Sequence, residues 1–123
     1  MIKAIILVGL GGGAGSILRY LTSVLVTKHF NAIFPLATFI VNILGCLIIG
    51  LIFGYIDRYQ AINPNLKFLF ITGFCGGYTT FSAFASESLN LFQNGNILIA
   101  ILYIATSILT GILAVWFGFF LAK

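Results

Sequence analysis

One stretch of the sequence carries groups that could hold an ion. Residues 73–87 read Gly-Phe-Cys-Gly-Gly-Tyr-Thr-Thr-Phe-Ser-Ala-Phe-Ala-Ser-Glu, inside an apolar segment that would otherwise form a plain helix. Its three glycines and two adjacent threonines predict a helix broken near its middle. A break at membrane depth is tolerated only where the freed backbone groups meet protein, water or an ion. The stretch is therefore our first candidate site, with backbone carbonyls that suit a cation.

Two phenylalanines follow the threonines and share one helix face. Phe81 and Phe84 are three residues apart, with Ser82 between them and Ser86 close by. Phenylalanines at this spacing ordinarily fill a protein core, and that interpretation stays open. Because the positive edge of an aromatic ring attracts negative charge, the pair could also face an anion.

Neutral hydrogen-bond donors recur in other apolar segments. Thr38 and Asn42 share a face of the second segment, where Asn42 could line an aqueous route or simply tie two helices together. The last segment carries four hydroxyls on one face, at Tyr103, Thr106, Ser107 and Thr110. Each hydroxyl could instead bond to its own backbone. Donors without carboxylates suit a small, strongly hydrated anion, because each N–H or O–H can replace one of its waters.

Arg19 lies deep in the first apolar segment. A charge at the bilayer centre costs at least about 2.5 kcal/mol, so this side chain must reach an interface, carbonyl groups or another partner. It could extend to the nearer membrane boundary, or it could compensate the charge of an anion at the start of a polar path. Both interpretations remain open.

The composition places all of these groups in a membrane. Of 123 residues, 61% are hydrophobic and 7% are charged, and the mean hydropathy is +1.18, whereas soluble chains carry about 25% charged residues. Four segments of spanning length fit, at about 4–27, 34–56, 67–92 and 97–121. We therefore expect an all-α, multi-pass integral membrane protein with a single domain, 1–123. The short links predict antiparallel neighbours, and the pairs Gly11/Gly15 and Gly50/Gly54 predict close helix packing.

Several classes of function are disfavoured. The net charge of +4 comes without a polar surface for nucleic acid, and the chain shows no nucleophile–base pair typical of an enzyme. Cys46 and Cys75 lack the spacing of a metal motif. The main alternative to a channel is a small multidrug cation/proton antiporter, for which Glu87 is the sole candidate carboxylate. A non-transporting helper subunit is a third possibility.

Three stretches together resemble the Fluc/CrcB family of fluoride channels. They are residues 12–20 (Gly-Gly-Ala-Gly-Ser-Ile-Leu-Arg-Tyr), residues 38–45 (Thr-Phe-Ile-Val-Asn-Ile-Leu-Gly) and residues 73–84 as quoted above. The resemblance covers all four segments, and the third stretch is the most specific. Ala83 departs from the pattern, since the family more often has threonine there.

The resemblance implies a fluoride-selective passive channel in the cell's inner (plasma) membrane. It implies an antiparallel, dual-topology homodimer with two pores and a structural sodium ion at the central interface, held by the backbone carbonyls of Gly76 and Thr79. The expected fluoride-binding residues are Thr38, Asn42, Phe81, Ser82, Phe84, Tyr103, Ser107 and Thr110. The implied partners are fluoride, the lipid bilayer and an inverted second copy. The basic residues Lys3, Arg58, Lys67 and Lys123 lie on the side of the termini and would by themselves favour one orientation, with the termini in the cytoplasm.

Overall fold

The computed structural model describes residues 1–60 and 63–123, and all regular structure within them is helical. The helices are α1 (Ile2–His29), α2 (Leu36–Tyr59), α3 (residues 64–78), α4 (Phe81–Gln93) and α5 (Ile97–Ala122). The helix α3 joins a turn at Pro64–Leu66, a π-helical section at Lys67–Cys75 and a turn at Gly76–Tyr78. Four stretches in this part of the chain are long and apolar enough to cross a membrane, α3 and α4 together forming one of them. The predicted all-α membrane fold with four spanning segments is confirmed.

The helix ends follow local sequence signals. Asn63 caps α3 by accepting a hydrogen bond from the Asn65 N–H at 3.0 Å, and Pro64 occupies the first helical position, where its missing N–H costs nothing. Gly95 has a φ of 81° and makes the sharp turn between α4 and α5. The first helix, predicted at about 4–27, extends to His29 in the structure.

Glycines bring α1 and α3 into backbone contact. A side chain at Gly11 would collide with the Leu69 carbonyl, and one at Gly15 would collide with the Phe74 carbonyl. From the other side, a side chain at Gly77 would come within 2.5 Å of the Gly12 carbonyl. The predicted small-residue face of the first helix therefore packs against the helix that leads to the candidate site.

A second glycine contact joins α2 to α5. Side chains at Gly50 and Gly54 would collide with the carbonyls of Val115 and Phe119, and one at Gly118 would collide with the Leu47 carbonyl. The helix α4 then covers the end of this pair through an apolar cluster that contains Leu91, Ala100, Tyr103 and Phe84. Two close helix pairs thus hold the residues of the candidate site between them.

Candidate functional site

The candidate site is built around Thr79 and Thr80, two extended residues between α3 and α4. Their φ and ψ angles are −83° and 158° for Thr79, and −149° and 115° for Thr80. Thr79 closes α3, because its N–H and its Oγ1 both donate to the Cys75 carbonyl, at 3.0 and 2.8 Å. Thr80 begins α4, because its Oγ1 accepts from the Ala83 N–H at 3.2 Å as a helix N-cap. Thr79 therefore ends one helix, and Thr80 begins the next.

The side chain of Asn42 joins α2 to this extended segment through two hydrogen bonds. Its Nδ2 donates to the Thr80 carbonyl at 3.1 Å, and its Oδ1 accepts from the Thr80 N–H at 2.8 Å. In a continuous α-helix that N–H would donate to the carbonyl of Gly76, four residues earlier. The bond to Asn42 therefore releases the Gly76 carbonyl from its helical partner. Of the two interpretations of Asn42, the geometry favours a tie between helices.

Gly76 differs from the other glycines of its helix. Its φ of −62° is open to any residue, and a side chain there would meet only the Ile71 carbonyl, at 3.9 Å. Gly73 and Gly77 instead contact α1. Nothing in the described subunit requires a glycine at position 76, and the residue is exposed. Its small size leaves room for a group outside the subunit.

A largely apolar groove of about 400 Å³ runs past Gly76 and Thr79. It is lined by Asn42, Gly45, Cys46, Ile49, Ile71, Cys75, Gly76, Thr79, Thr80, Phe81, Phe84, Ser107 and Ile108. Residues 1–60 and 63–123 contain no group of three or more His, Cys, Asp or Glu side chains that could hold a metal ion. A hard cation beside the extended segment would therefore rely on backbone oxygens.

The two phenylalanines lie on one side of the groove but in different surroundings. Their ring centroids are 5.7 Å apart. Phe81 is 78% exposed and so does not belong to the core of the subunit. Phe84 packs against the apolar cluster, with its ring centroid 5.1 Å from that of Tyr103. Phe84 therefore belongs in part to the core of the subunit, whereas Phe81 does not.

The stripe of hydroxyls on α5 divides into two kinds. Thr106 Oγ1 donates to the Leu102 carbonyl, and Thr110 Oγ1 donates to the Thr106 carbonyl, so both bond back to their own helix. The hydroxyls of Tyr103 and Ser107 are buried without a hydrogen-bond partner, and they are the only such side-chain atoms in the described ranges. Buried polar groups are nearly always paired, so these two hydroxyls are the candidates on α5 for binding a ligand.

A second, smaller cavity of about 270 Å³ contains Arg19. Thr38, Ser16 and Thr80 line it as well, and Thr80 also lines the groove, so the extended segment separates the two spaces. The Thr38 Oγ1 donates to Glu87 Oε1 at 2.6 Å.

Ser82 is exposed, and its Oγ lies 3.4 Å from Thr80 Oγ1.

The sequence does not single out Thr80 as a separate hydrogen-bonding centre, and it does not indicate a partner for Glu87. The adjacent threonines were the available signal for the first. No sequence signal indicated the pairing of Glu87 with Thr38, since the two residues lie on different spanning segments.

Comparison with known proteins gives consistent matches over nearly the whole chain. A family model described as "CrcB-like protein, Camphor Resistance (CrcB)" matches residues 6–119. A "Fluoride-specific ion channel FluC" from Flavobacterium psychrophilum is 54% identical over 121 residues, which is 98% of each chain. Proteins of the same name are 46% identical in Azobacteroides pseudotrichonymphae, over 100% of this chain and 98% of the relative, and 45% identical in Methylobacillus flagellatus, over 97% and 94%.

Proposed function

The chain belongs to the CrcB-like family, and on that premise we propose that it is a passive, fluoride-selective channel that releases fluoride from the cell. The support from the comparisons is that relatives up to 54% identical carry the name of fluoride-specific ion channels. The support from the site is the pair of buried, unpaired hydroxyls at Tyr103 and Ser107. Leaving a donor unpaired costs about 1–3 kcal/mol, and a permeating anion that accepts both hydrogen bonds would offset that cost.

The proposed path connects the Arg19 cavity to the groove. Arg19 offsets the charge of the entering anion, and Thr38 and Ser82 lie near the Thr80 boundary between the two spaces. In the groove the anion passes the ring edges of Phe81 and Phe84 and accepts a hydrogen bond from Ser107, and it then reaches the Tyr103 hydroxyl beside the Phe84 ring. Each donor replaces part of the hydration shell that fluoride gives up, so selectivity arises from closely placed donors. Thr110 contributes only if it exchanges its bond to its own helix for one to the anion.

We further propose that two inverted copies form the channel, with two pores. The groove is open along one side of the subunit, and Phe81 projects into that opening with 78% of its surface exposed. The exposed Gly76 beside it allows another chain to approach closely. An inverted second copy would close each groove.

A sodium ion at the centre of such a dimer fits the backbone beside the groove. The Gly76 carbonyl has lost its helical partner to Asn42, and Thr79 is in an extended conformation. The carbonyls of Gly76 and Thr79 from two copies would supply four oxygen ligands, which is the donor type that a hard cation prefers. In this role the ion is structural, and it fixes the two interrupted helices against each other.

The physiological role that we propose is the removal of fluoride from the cytoplasm across the inner (plasma) membrane. Hydrogen fluoride crosses the bilayer as a neutral acid and dissociates at cytoplasmic pH, which traps the anion. A passive pore releases it down its gradient. The charge bias toward the side of the termini is small enough that we retain insertion in both orientations.

The decisive experiment is ion efflux from liposomes that contain only the purified protein. A fluoride gradient and a chloride gradient are compared, with Tyr103→Phe/Ser107→Ala as the matched variant that lacks only the two hydroxyls. Rapid loss of fluoride with chloride retained, slowed in the variant, is the expected result. Equal release of both anions, or release of neither, would overturn the proposal. Transport of a cationic drug that depends on protons would favour the antiporter instead.

A further inference from the structure

The contacts between α2 and the segment around Thr79 bring the two cysteines of the chain to the same groove. The helices run antiparallel, with Asn42 bonded to Thr80 and the methyl group of Thr79 in the space where a side chain at Gly45 would begin. Cys46 follows Gly45, and Cys75 lies one turn before Thr79, so both cysteines lie close to this contact between the two elements. Both residues line the same groove.

We propose that Cys46 and Cys75 form a two-thiolate site for a soft, thiophilic monovalent cation of the Cu⁺ class. Thiolates select soft metals, whereas a structural Zn²⁺ site needs four ligands. The described ranges hold no third His, Cys, Asp or Glu near enough to complete such a site. A two-coordinate monovalent ion needs no more than the pair provides, and Ile49 and Ile71 give it an apolar surround.

Binding is a simple exchange of protons for a metal ion. Each thiol loses one proton, two sulfur–metal bonds form, and two protons leave for one cation bound, with no change of oxidation state. Because two thiolates surround one monovalent cation, the complex carries one net negative charge. The bridge also links α2 to α3 one turn before Thr79, the residue at which the helix is interrupted.

The consequence for transport rests on the proposed function. A fixed negative charge in the groove opposes the entry of an anion, and the bridge restrains the backbone that presents Gly76 and Thr79. Occupancy of the thiol site therefore inhibits fluoride efflux. The two cysteines thus make fluoride efflux through this chain sensitive to soft metal ions.

The test of the site uses Ag⁺ as the probe and the full-length protein in detergent, in chloride-free nitrate medium. Native mass spectrometry and proton release are measured for the wild type, Cys46→Ser, Cys75→Ser and the double variant, which keeps no sulfur but that of Met1. We expect one Ag⁺ and two protons per chain, with affinity about a hundredfold lower in each single variant because the second bond is intramolecular. Two Ag⁺ per chain, or undiminished binding in either single variant, would overturn the proposal. Size-exclusion profiles of each variant show whether a loss of Ag⁺ binding is caused by a loss of fold. Where serine disturbs folding, the corresponding Cys→Ala variant is used instead.

Fluoride efflux from liposomes then tests the consequence separately. Ag⁺ should slow efflux through the wild type and leave efflux through the double variant unchanged. Equal inhibition of both proteins would contradict control through the thiols. If the wild type binds one Ag⁺ with release of two protons but conducts no fluoride, the thiol site stands and the channel proposal fails, so the two proposals are judged independently.

Discussion

Asn42 stands opposite Thr80 as if its side-chain amide were the peptide group of a neighbouring strand. It accepts from the Thr80 N–H at 2.8 Å and donates to the Thr80 carbonyl at 3.1 Å. Both backbone polar groups of one residue in a non-helical segment are thereby satisfied by a single side chain, which is what an apolar membrane demands. The same contact takes the Thr80 N–H away from the Gly76 carbonyl, so one asparagine satisfies the extended residue and leaves that carbonyl without its usual helical donor.

Replacing Asn42 with alanine should therefore destabilise the extended segment as well as abolish transport. The substitution leaves the N–H and the carbonyl of Thr80 unpaired, at a cost of about 1–3 kcal/mol. We expect a lower midpoint of thermal unfolding in detergent and loss of fluoride efflux from liposomes. The matched control is Asn90→Ala, which removes an exposed bond to Asn94 at the end of α4 and should leave both measurements unchanged. Normal stability in Asn42→Ala would contradict the structural role.

The hydroxyls of α5 should behave in two distinct ways. Tyr103→Phe and Ser107→Ala remove buried donors that have no partner in the subunit, so the stability of the protein should stay the same or rise. Fluoride efflux should fall by about tenfold for each, which corresponds to about 1.4 kcal/mol for one lost hydrogen bond to the ion. The control Thr106→Val removes a hydroxyl that bonds to its own helix, and it should conduct normally. A stability loss without a change in efflux would reduce Tyr103 and Ser107 to packing residues.

Hydropathy and helix length were sufficient to predict the four spanning segments, because the thickness of the bilayer sets a narrow range of lengths. The structure agrees to within a few residues at each end, as in α5, predicted at 97–121 and observed at Ile97–Ala122. The small-residue faces of Gly11, Gly15, Gly50 and Gly54 were also predictable, and each packs against a backbone. These features depend on residue size and periodicity, which sequence displays directly.

Features that depend on the partner of each hydrogen-bonding group could not be predicted from the sequence. The sequence places Thr106, Ser107 and Thr110 on one helix face. Only the structure shows which of these hydroxyls donate to a carbonyl of their own helix and which have no hydrogen-bond partner. The π-helical winding of Lys67–Cys75 adds an extra residue to each turn, so a period of 3.6 residues misassigns the faces of this section. The sequence alone does not decide between the two interpretations of Asn42, because its partner Thr80 lies 38 residues away.

The exposed ring of Phe81 and the half-buried ring of Phe84 provide a third test. Phe81→Ile and Phe84→Ile keep an apolar side chain but remove the polarised ring edge, so we expect fluoride efflux to fall by at least about tenfold. Phe120→Ile is the matched control, because Phe120 is 65% exposed on α5 at a distance from the groove. Efflux from liposomes checks all three. Equal behaviour of the three variants would remove the phenylalanines from the conduction path.

Gly76 and Gly77 are neighbours that should respond differently to alanine. A methyl group at Gly77 would come within 2.5 Å of the Gly12 carbonyl, so Gly77→Ala should destabilise the subunit by about 1–3 kcal/mol. A methyl group at Gly76 meets no atom of the subunit closer than 3.9 Å. Gly76→Ala should therefore keep the helical content of the wild type but weaken association of two copies. Circular dichroism and subunit counting by cross-linking separate the two effects, and an intact dimer in Gly76→Ala would remove this glycine from the interface.

Glu87 decides between a channel and an antiporter. Thr38 donates to its Oε1 at 2.6 Å, and glutamine keeps an oxygen in that position, so Glu87→Gln preserves the bond. A passive channel has no step that requires a proton on residue 87, so fluoride efflux from liposomes should persist in Glu87→Gln with or without a pH gradient. An antiporter would lose all transport in this variant. Phe81→Ile measured in the same preparation completes the comparison: the channel predicts that Phe81→Ile is the damaging change, and the antiporter predicts the reverse.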